Sequence, residues 1–535
     1  MKTPTTIPQR LKDAARTGAG ELIFHMENGP RRIPADELWA TACRRAELLR
    51  DRGLGSGDHV GIVGPNNPEW AAWAFGVWVA GATLVPLQYP LGVRDEKIVA
   101  EQLRALATRA RCAAVLSDTR FENAFAPDSI ISWTASLPAD ATDTDLSSIG
   151  FDDVAVVQFT SGSTGAQKGV MLEHDRVLHS VHMISKGLGV TPADRFMGWA
   201  PLYHDLGLFG YLLRPLVEGC EGHILPTERF ARDPGEWFRV MSNVGATLTT
   251  APSSGYAVAL KRAEREPEGI DLSALRSAIF GAEMIMPEVV DRLRTEGALY
   301  GLDPEAPAGS YGMAEATLTI SAQPGGMRME TKEVAQLAGG SMSGGSGPTR
   351  RVCTCGPPVP GLEARITSME REEVPEGYVG EIEIQSYGLM RGYLDVDPSD
   401  TFREDGWFPT GDLGYMSDGE LFVTGRIKDV LIVMGANYAP EDIEWAAERV
   451  GGVRKGRCVA FGRPGSDGEI VVALEARDGV DAGSLPAEVS RSVSSTVGVT
   501  PKEVLVLPPG AIPKTTSGKL RRSTVREAHG AGELG

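Results

Sequence analysis

Short apolar runs of strand type alternate along this chain with longer stretches of helical periodicity, and this alternation narrows the fold more than any other feature. Val60-Gly61-Ile62-Val63, Thr83-Leu84-Val85, Ala113-Ala114-Val115-Leu116 and Ser277-Ala278-Ile279-Phe280 are the clearest runs, and residues 35–52 form a clear helical stretch. Strands separated by helices pair in parallel, and the helices cover the sheet. The predicted class is therefore α/β with mainly parallel sheets. A length of 535 residues exceeds what one core can serve, so at least two domains are expected.

The texture changes near Cys353. Leu362-Glu363-Ala364-Arg365-Ile366, Gly380-Glu381-Ile382-Glu383-Ile384 and Gly419-Glu420-Leu421-Phe422-Val423 are short, turn-bounded runs that predict a small antiparallel β unit. After Gly425-Arg426-Ile427-Lys428-Asp429 a second, smaller α/β unit follows, ending in a basic loop at 513–522. Residues 339–347 are rich in glycine and serine. Gly53-Leu54-Gly55-Ser56-Gly57 resembles a dinucleotide turn but precedes a strand, so it is read as a helix stop.

Composition excludes several classes. With 71 acidic against 53 basic residues the net charge is −18, which argues against nucleic acid or an anionic membrane surface as main partner. Residues 70–87 are uncharged, but Gly76, Gly81 and the Val85-Pro86-Leu87 ending suit a buried helix entering a strand, so no integral membrane segment is expected. The six scattered cysteines fit neither a zinc template nor a disulfide framework and predict a reduced, cytoplasmic protein.

Thr160-Ser161-Gly162-Ser163-Thr164-Gly165-Ala166-Gln167-Lys168-Gly169 follows the apolar run 154–159 and reads as a strand entering a phosphate-handling loop. Glycines let backbone N–H groups approach an anion, and hydroxyls add donors. A Walker A loop needs a hydroxyl after Gly-Lys, whereas here the order is Lys168-Gly169. A flexible connector explains the glycines but neither the lysine nor the ordered hydroxyls.

Six further pieces follow in order: Pro201-Leu202-Tyr203-His204-Asp205-Leu206-Gly207; Gly281-Ala282-Glu283; Ser310-Tyr311-Gly312-Met313-Ala314-Glu315-Ala316-Thr317; Pro409-Thr410-Gly411-Asp412; Gly425-Arg426-Ile427-Lys428-Asp429; and Pro513-Lys514-Thr515-Thr516-Ser517-Gly518-Lys519. With them the chain resembles the adenylate-forming superfamily of acyl- and aryl-CoA ligases, luciferases and peptide-synthetase adenylation domains, and within it the fatty acyl-AMP ligases. The resemblance spans nearly the whole chain. It implies a large N-terminal domain over 1–427 with αβαβα layering and a small β unit, and a small mobile C-terminal α/β domain over 428–535. It also implies an insertion at about 323–350, thought to hinder the rearrangement that transfer to CoA requires.

The resemblance assigns roles that make chemical sense. A carboxylate attacking the α-phosphorus of ATP meets another anion, so cations must intervene. Glu315 matches the Mg²⁺ ligand, and Lys519 the lysine bridging carboxylate and α-phosphate. Tyr311 matches the residue stacked on adenine, in a pocket lined by Gly281, Ala282 and Glu283 and by Ser310, Gly312, Met313 and Ala314. Asp412 would accept from the ribose hydroxyls, Arg426 would hold ribose or phosphate, and Lys428 matches the hinge. Thr160, Ser161, Gly162, Ser163, Thr164 and Gly165 would grip the pyrophosphate side, with Lys168 a secondary contact. His204 is assigned to substrate positioning beside the reacting carboxylate, and Tyr203, Ser253, Ser254 and Gly255 to the acyl pocket. Ala314 stands where many members of the superfamily have threonine, in the form typical of fatty acyl-AMP ligases.

The expected reaction is ATP- and Mg²⁺-dependent conversion of a hydrophobic carboxylic acid to acyl-AMP and pyrophosphate, followed by transfer to the phosphopantetheine thiol of an acyl carrier protein. A ligase using free CoA shares the first step. Amino-acid adenylation is a further alternative, since Asp205 lies about where such enzymes place a carboxylate for the amine, and a silent nucleotide-binding protein is another.

Overall fold

The structure, a computed structural model, describes residues 4–90, 96–138, 144–160, 167–335, 349–433, 436–466, 468–514 and 520–534. Two large sheets form the frame. One has eight strands, ordered Ser321–Ala322, Pro307–Tyr311, Ser277–Phe280, Leu248–Ala251, Arg195–Gly198, Glu221–Ile224, Glu21–Met26 and Gly29–Pro34, parallel except for the pairings of the outermost strand at each edge. The other has seven and combines parallel pairing around His59–Val63 with an antiparallel hairpin, Val154–Phe159 and Gly169–Glu173, at the phosphate loop. The expected α/β class is observed.

Residues 70–87 form the anticipated buried element. The helix Pro68–Ala80 is capped by the Asn67 side chain, ends at Gly81 with φ 87°, and leads into the strand Thr83–Pro86. Every residue of it from Trp70 onward is buried, because it lies in a core to which both sheets contribute. Among the described residues no helix is long and apolar enough to cross a membrane.

The small β unit is a four-stranded antiparallel sheet, Leu362–Thr367, Gly380–Ser386, Phe408–Ser417 and Glu420–Arg426. Three strands match the runs read from the sequence. The fourth, Phe408–Ser417, carries Pro409-Thr410-Gly411-Asp412, whose turn-like composition hides a strand bulged at its pairing with Glu420–Arg426. Beyond it, Val453–Gly462, Ile470–Ala476 and Glu503–Leu507 form a separate three-stranded sheet packed by the helices Pro440–Glu448 and Leu485–Val497 around its own core of Ile443, Val472, Val489 and Val493. In the insertion region the described parts pair as a hairpin, Thr331–Ala335 with Thr349–Cys353, and Met329 is buried against the large domain. None of the six cysteines is in a disulfide, and five are buried.

Candidate active site

One cavity of about 1010 Å³ collects most of the residues singled out above. Its wall includes Thr160 and Lys168 from the phosphate hairpin, Tyr203 and His204, Gly281 to Glu283, Ser310 to Glu315, Asp412, Arg426 and Lys428. From the C-terminal unit come Lys455, Lys514, Leu520 and Arg522. Parallel strands ending at one edge bring the loops together, which is where open α/β sheets place ligands.

The phosphate loop is closed at its base. Thr160 N–H donates to the Lys168 carbonyl at 3.0 Å, and Lys168 N–H donates to Thr160 Oγ1 at 3.3 Å. Ser161, Gly162, Ser163, Thr164 and Gly165 lie outside the described residues. Lys168 extends its Nζ to 4.2 Å above the ring of Tyr393, a cation–π contact that aims it along the cavity wall.

The strand Pro307–Tyr311 ends in a tight turn that sinks Glu315 inward. Gly312 permits the turn, since a Cβ there would stand 1.7 Å from the Leu318 carbonyl oxygen. Glu315 is only 6% exposed. Its Oε1 accepts from the Tyr393 hydroxyl at 2.7 Å. Burial raises its pKa, and that hydroxyl opposes the rise. Among the described residues no cluster of three metal-ligating side chains forms, so this carboxylate stands alone. One buried carboxylate in the cavity lining suits Mg²⁺, which keeps several waters and takes one or two carboxylates plus substrate phosphates.

Asp412 is held from two sides. Tyr311 donates its hydroxyl to Oδ2 at 2.6 Å, and Arg426 Nε lies 2.7 Å from Oδ1. Thr410 Oγ1 accepts from the Asp412 N–H at 3.1 Å. The neighbouring Asp412 carboxylate raises the Arg426 pKa, and burial pushes the Tyr311 hydroxyl well up. The tyrosine ring is thereby fixed at the cavity wall, and a ribose at Asp412 must share or displace the arginine.

His204 lines the cavity with Nδ1 2.5 Å from Asp205 Oδ1, which ties up the carboxylate that amino-acid adenylation would need. The acyl-pocket residues divide. Tyr203 and Ser254 line the cavity, although Ser254 is engaged by Glu283, which accepts from its N–H at 2.6 Å. Ser253 and Gly255 do not. Ser253 Oγ accepts the Met286 N–H at 3.0 Å, and a Cβ at Gly255 would stand 2.8 Å from the Trp199 ring, so both serve packing. Leu188, Leu206, Arg214, Thr250, Ile279 and Leu318 form the inner wall instead. They come from several elements at no fixed spacing, and no sequence signal marks them as a set.

Lys519 lies outside the described residues. Its flanks do not: Lys514 and Leu520 pair with each other across the loop and both line the cavity. Three positions on, Arg522 is clamped by Asp429, Glu441 and Glu444. Sequence reasoning missed Arg522, Tyr393 and Arg214. Only Arg214 had a visible signal, a charge directly after the apolar run 206–213.

The family model for AMP-binding enzymes matches residues 11–394. A 4-hydroxyphenylalkanoate adenylyltransferase of Mycobacterium marinum is 31% identical, over 92% of this chain and 85% of the relative. A long-chain-fatty-acid–AMP ligase of Mycobacterium tuberculosis is also 31% identical, over 92% of this chain and 90% of the relative. A structure solved in work on fatty acyl-adenylate ligases from E. coli and L. pneumophila superposes with a TM-score of 0.91 at 30% identity, covering 99% of this chain and 98% of that one. With a family model over residues 11–394 and relatives alike over nearly the whole chain, the chain belongs to the AMP-binding enzymes of the adenylate-forming superfamily and resembles its fatty acyl-AMP ligases.

Proposed function

We propose that the protein activates a hydrophobic carboxylic acid with ATP, forming acyl-AMP and releasing pyrophosphate, and then passes the acyl group to the phosphopantetheine thiol of a carrier protein. One observation carries this reading: a single cavity is walled both by the nucleotide residues of the large unit, Tyr311, Glu315, Asp412 and Arg426, and by Lys514 and Leu520, which bracket Lys519. Asp412 and Arg426 bind ribose, and Tyr311 offers its ring to adenine. Glu315 holds Mg²⁺, which when bound screens the charge of the phosphates. Lys168 and the loop 160–165 take the pyrophosphate side, while His204 orients the acid. Lys519 draws the carboxylate oxygen toward the α-phosphorus and stabilises charge building there.

The units divide at Lys428, an exposed residue in the turn Ile427–Asp429. Rotation about it withdraws the segment anchored by Arg522 and opens a path for the thiol. The insertion at 323–350 hinders that rotation for CoA. A cytoplasmic setting belongs to this reading, supported by six cysteines outside any disulfide, five of them buried.

ATP–pyrophosphate exchange across fatty, aromatic and amino acids tests the first step. Hydrophobic acids are expected to support exchange, and exchange driven by amino acids alone overturns the assignment. Thioester formation with holo carrier protein but not with free CoA is the expected second step. Rapid acyl-CoA formation would replace it with a CoA ligase.

A further inference from the structure

The inner end of the cavity holds a charge that the reaction above does not use. Arg214 lines the cavity and is 3% exposed. Its guanidinium forms no hydrogen bond or ion pair among the described residues, and its Nε is buried without a partner. The side chain lies over the Phe196 ring, 5.2 Å from its centroid. The nearby acids are bonded to other groups, although the Glu218 charge still favours the Arg214 guanidinium without an ion pair. Glu218 is 3.1 Å from His182, and Asp194 is bound by Arg276 through both oxygens at 2.9 Å. The neighbouring Cys220 thiol is pushed up to about 12 by burial and carries no charge at neutral pH. Burial lowers the Arg214 pKa from its ordinary value, which still leaves the side chain charged there.

A buried guanidinium without an anion is costly, and natural interiors pair such groups. Its position suggests the missing partner. Leu206–Leu213 is a widened, π-type helix that continues directly into Arg214–Glu218. Leu206 and Arg214 lie four residues on either side of Gly210, and both line the cavity together with Leu318. A Cβ at Gly210 would press on Leu206 at 3.1 Å and meet Leu318 at 3.5 Å, so glycine lets these side chains pack there. His204 lines the same cavity, and the apolar side chains of Leu206, Ile279 and Leu318 line it with Arg214, so an acid with its carboxyl at His204 shares that cavity with the guanidinium.

We infer that the acid taken by this cavity carries a hydrogen-bond-accepting oxygen at its far end, above all a second carboxylate, and that Arg214 receives it. The inference rests on the acid-activating reading and narrows its substrate class. The test is ATP–pyrophosphate exchange by the full chain with straight-chain acids matched in carbon count and ending in methyl, hydroxyl or carboxylate. A charge-assisted hydrogen bond in a closed site gives the carboxylate-ended acid an advantage of at least about tenfold in kcat/KM over the methyl-ended one, mostly through KM. Arg214→Met should remove that advantage, and Arg214→Lys should restore part of it. A matching advantage for the hydroxyl-ended acid supports an uncharged acceptor oxygen at the same place. Should Arg214→Met fail to fold, the wild-type panel still decides. Exchange with methyl-ended acids at equal or better efficiency overturns this inference and leaves acid activation standing, whereas no exchange with any acid overturns both.

Discussion

Replacing Tyr393 with phenylalanine removes one oxygen and tests how the Glu315 carboxylate is held. The hydroxyl donates to Glu315 at 2.7 Å, and Glu315 is buried, so a charge-assisted hydrogen bond is lost where water does not readily replace it. Such bonds contribute about 1.5–3 kcal/mol. The phenyl ring remains beneath Lys168, so the contact now at 4.2 Å survives and the change is confined to Glu315. If Glu315 binds Mg²⁺, the loss converts to a roughly 10- to 100-fold rise in the Mg²⁺ concentration giving half-maximal activity. Burial already raises the Glu315 pKa, and the hydroxyl holds it down. Its removal lets the pKa rise further, so protons compete with the cation over a wider range and the acid limb of the rate profile moves to higher pH. Pyrophosphate release would be titrated with MgCl₂ at saturating ATP and acid, at several pH values. An unchanged Mg²⁺ midpoint together with an unchanged acid limb would refute the argument, because no structural loss elsewhere could cancel both.

The other expectations concern the C-terminal unit and the turn at His204. Lys519→Ala should abolish pyrophosphate exchange while equilibrium binding still detects ATP, and normal turnover would remove the lysine from the chemistry. Arg522→Ala leaves Asp429, Glu441 and Glu444 crowded without their cation and should cost about 3–5 kcal/mol in the C-terminal unit, read as earlier melting and faster proteolysis there. Glu448 accepts the Gly456 N–H at 2.7 Å, and burial raises its pKa to about 7 from 4.5. The folded state therefore binds more protons than the unfolded chain between those values, and stability from this group falls as pH rises from about 4.5 to about 7. Glu448→Gln should flatten that fall by about 1–2 kcal/mol after allowance for solvent screening, and a melting profile parallel to wild type would contradict it. Gly207→Ala places a Cβ 2.0 Å from the Pro201 carbonyl oxygen and should shift the backbone around His204, lowering both melting temperature and activity. Unchanged values for both would show that the turn yields without cost.

Much of this molecule is legible in one dimension. Strand-type runs separated by helical stretches require parallel pairing, because a parallel strand is reached only by crossing over the sheet. The helix at Pro68–Ala80 could be read as buried because it is apolar on every side and ends at glycine. Composition alone favours a turn at Pro409-Thr410-Gly411-Asp412, but pairing on both sides, with Gly380–Ser386 and Glu420–Arg426, and a bulge make it a strand. Local preference is worth tenths of a kcal/mol per residue, and the ladder bonds outweigh it.

The sequence by itself determined the class of fold and the family, and its ordered motifs proposed the phosphate loop, Glu315, Asp412, Arg426 and Lys519 as site residues. These are local patterns, or patterns of order, and order survives in a string. Only the tertiary structure decided who holds whom. Tyr311 reaches Asp412 across 101 positions and Tyr393 reaches Glu315 across 78, and nothing along the chain announces either pair. The same holds for the inner wall of the cavity, where Ser253 and Gly255 turn to packing and Arg214 comes forward. Side-chain contact depends on where separate strands and helices end in space, and a hydrogen bond requires agreement to a fraction of an ångström, which packing sets and spacing does not.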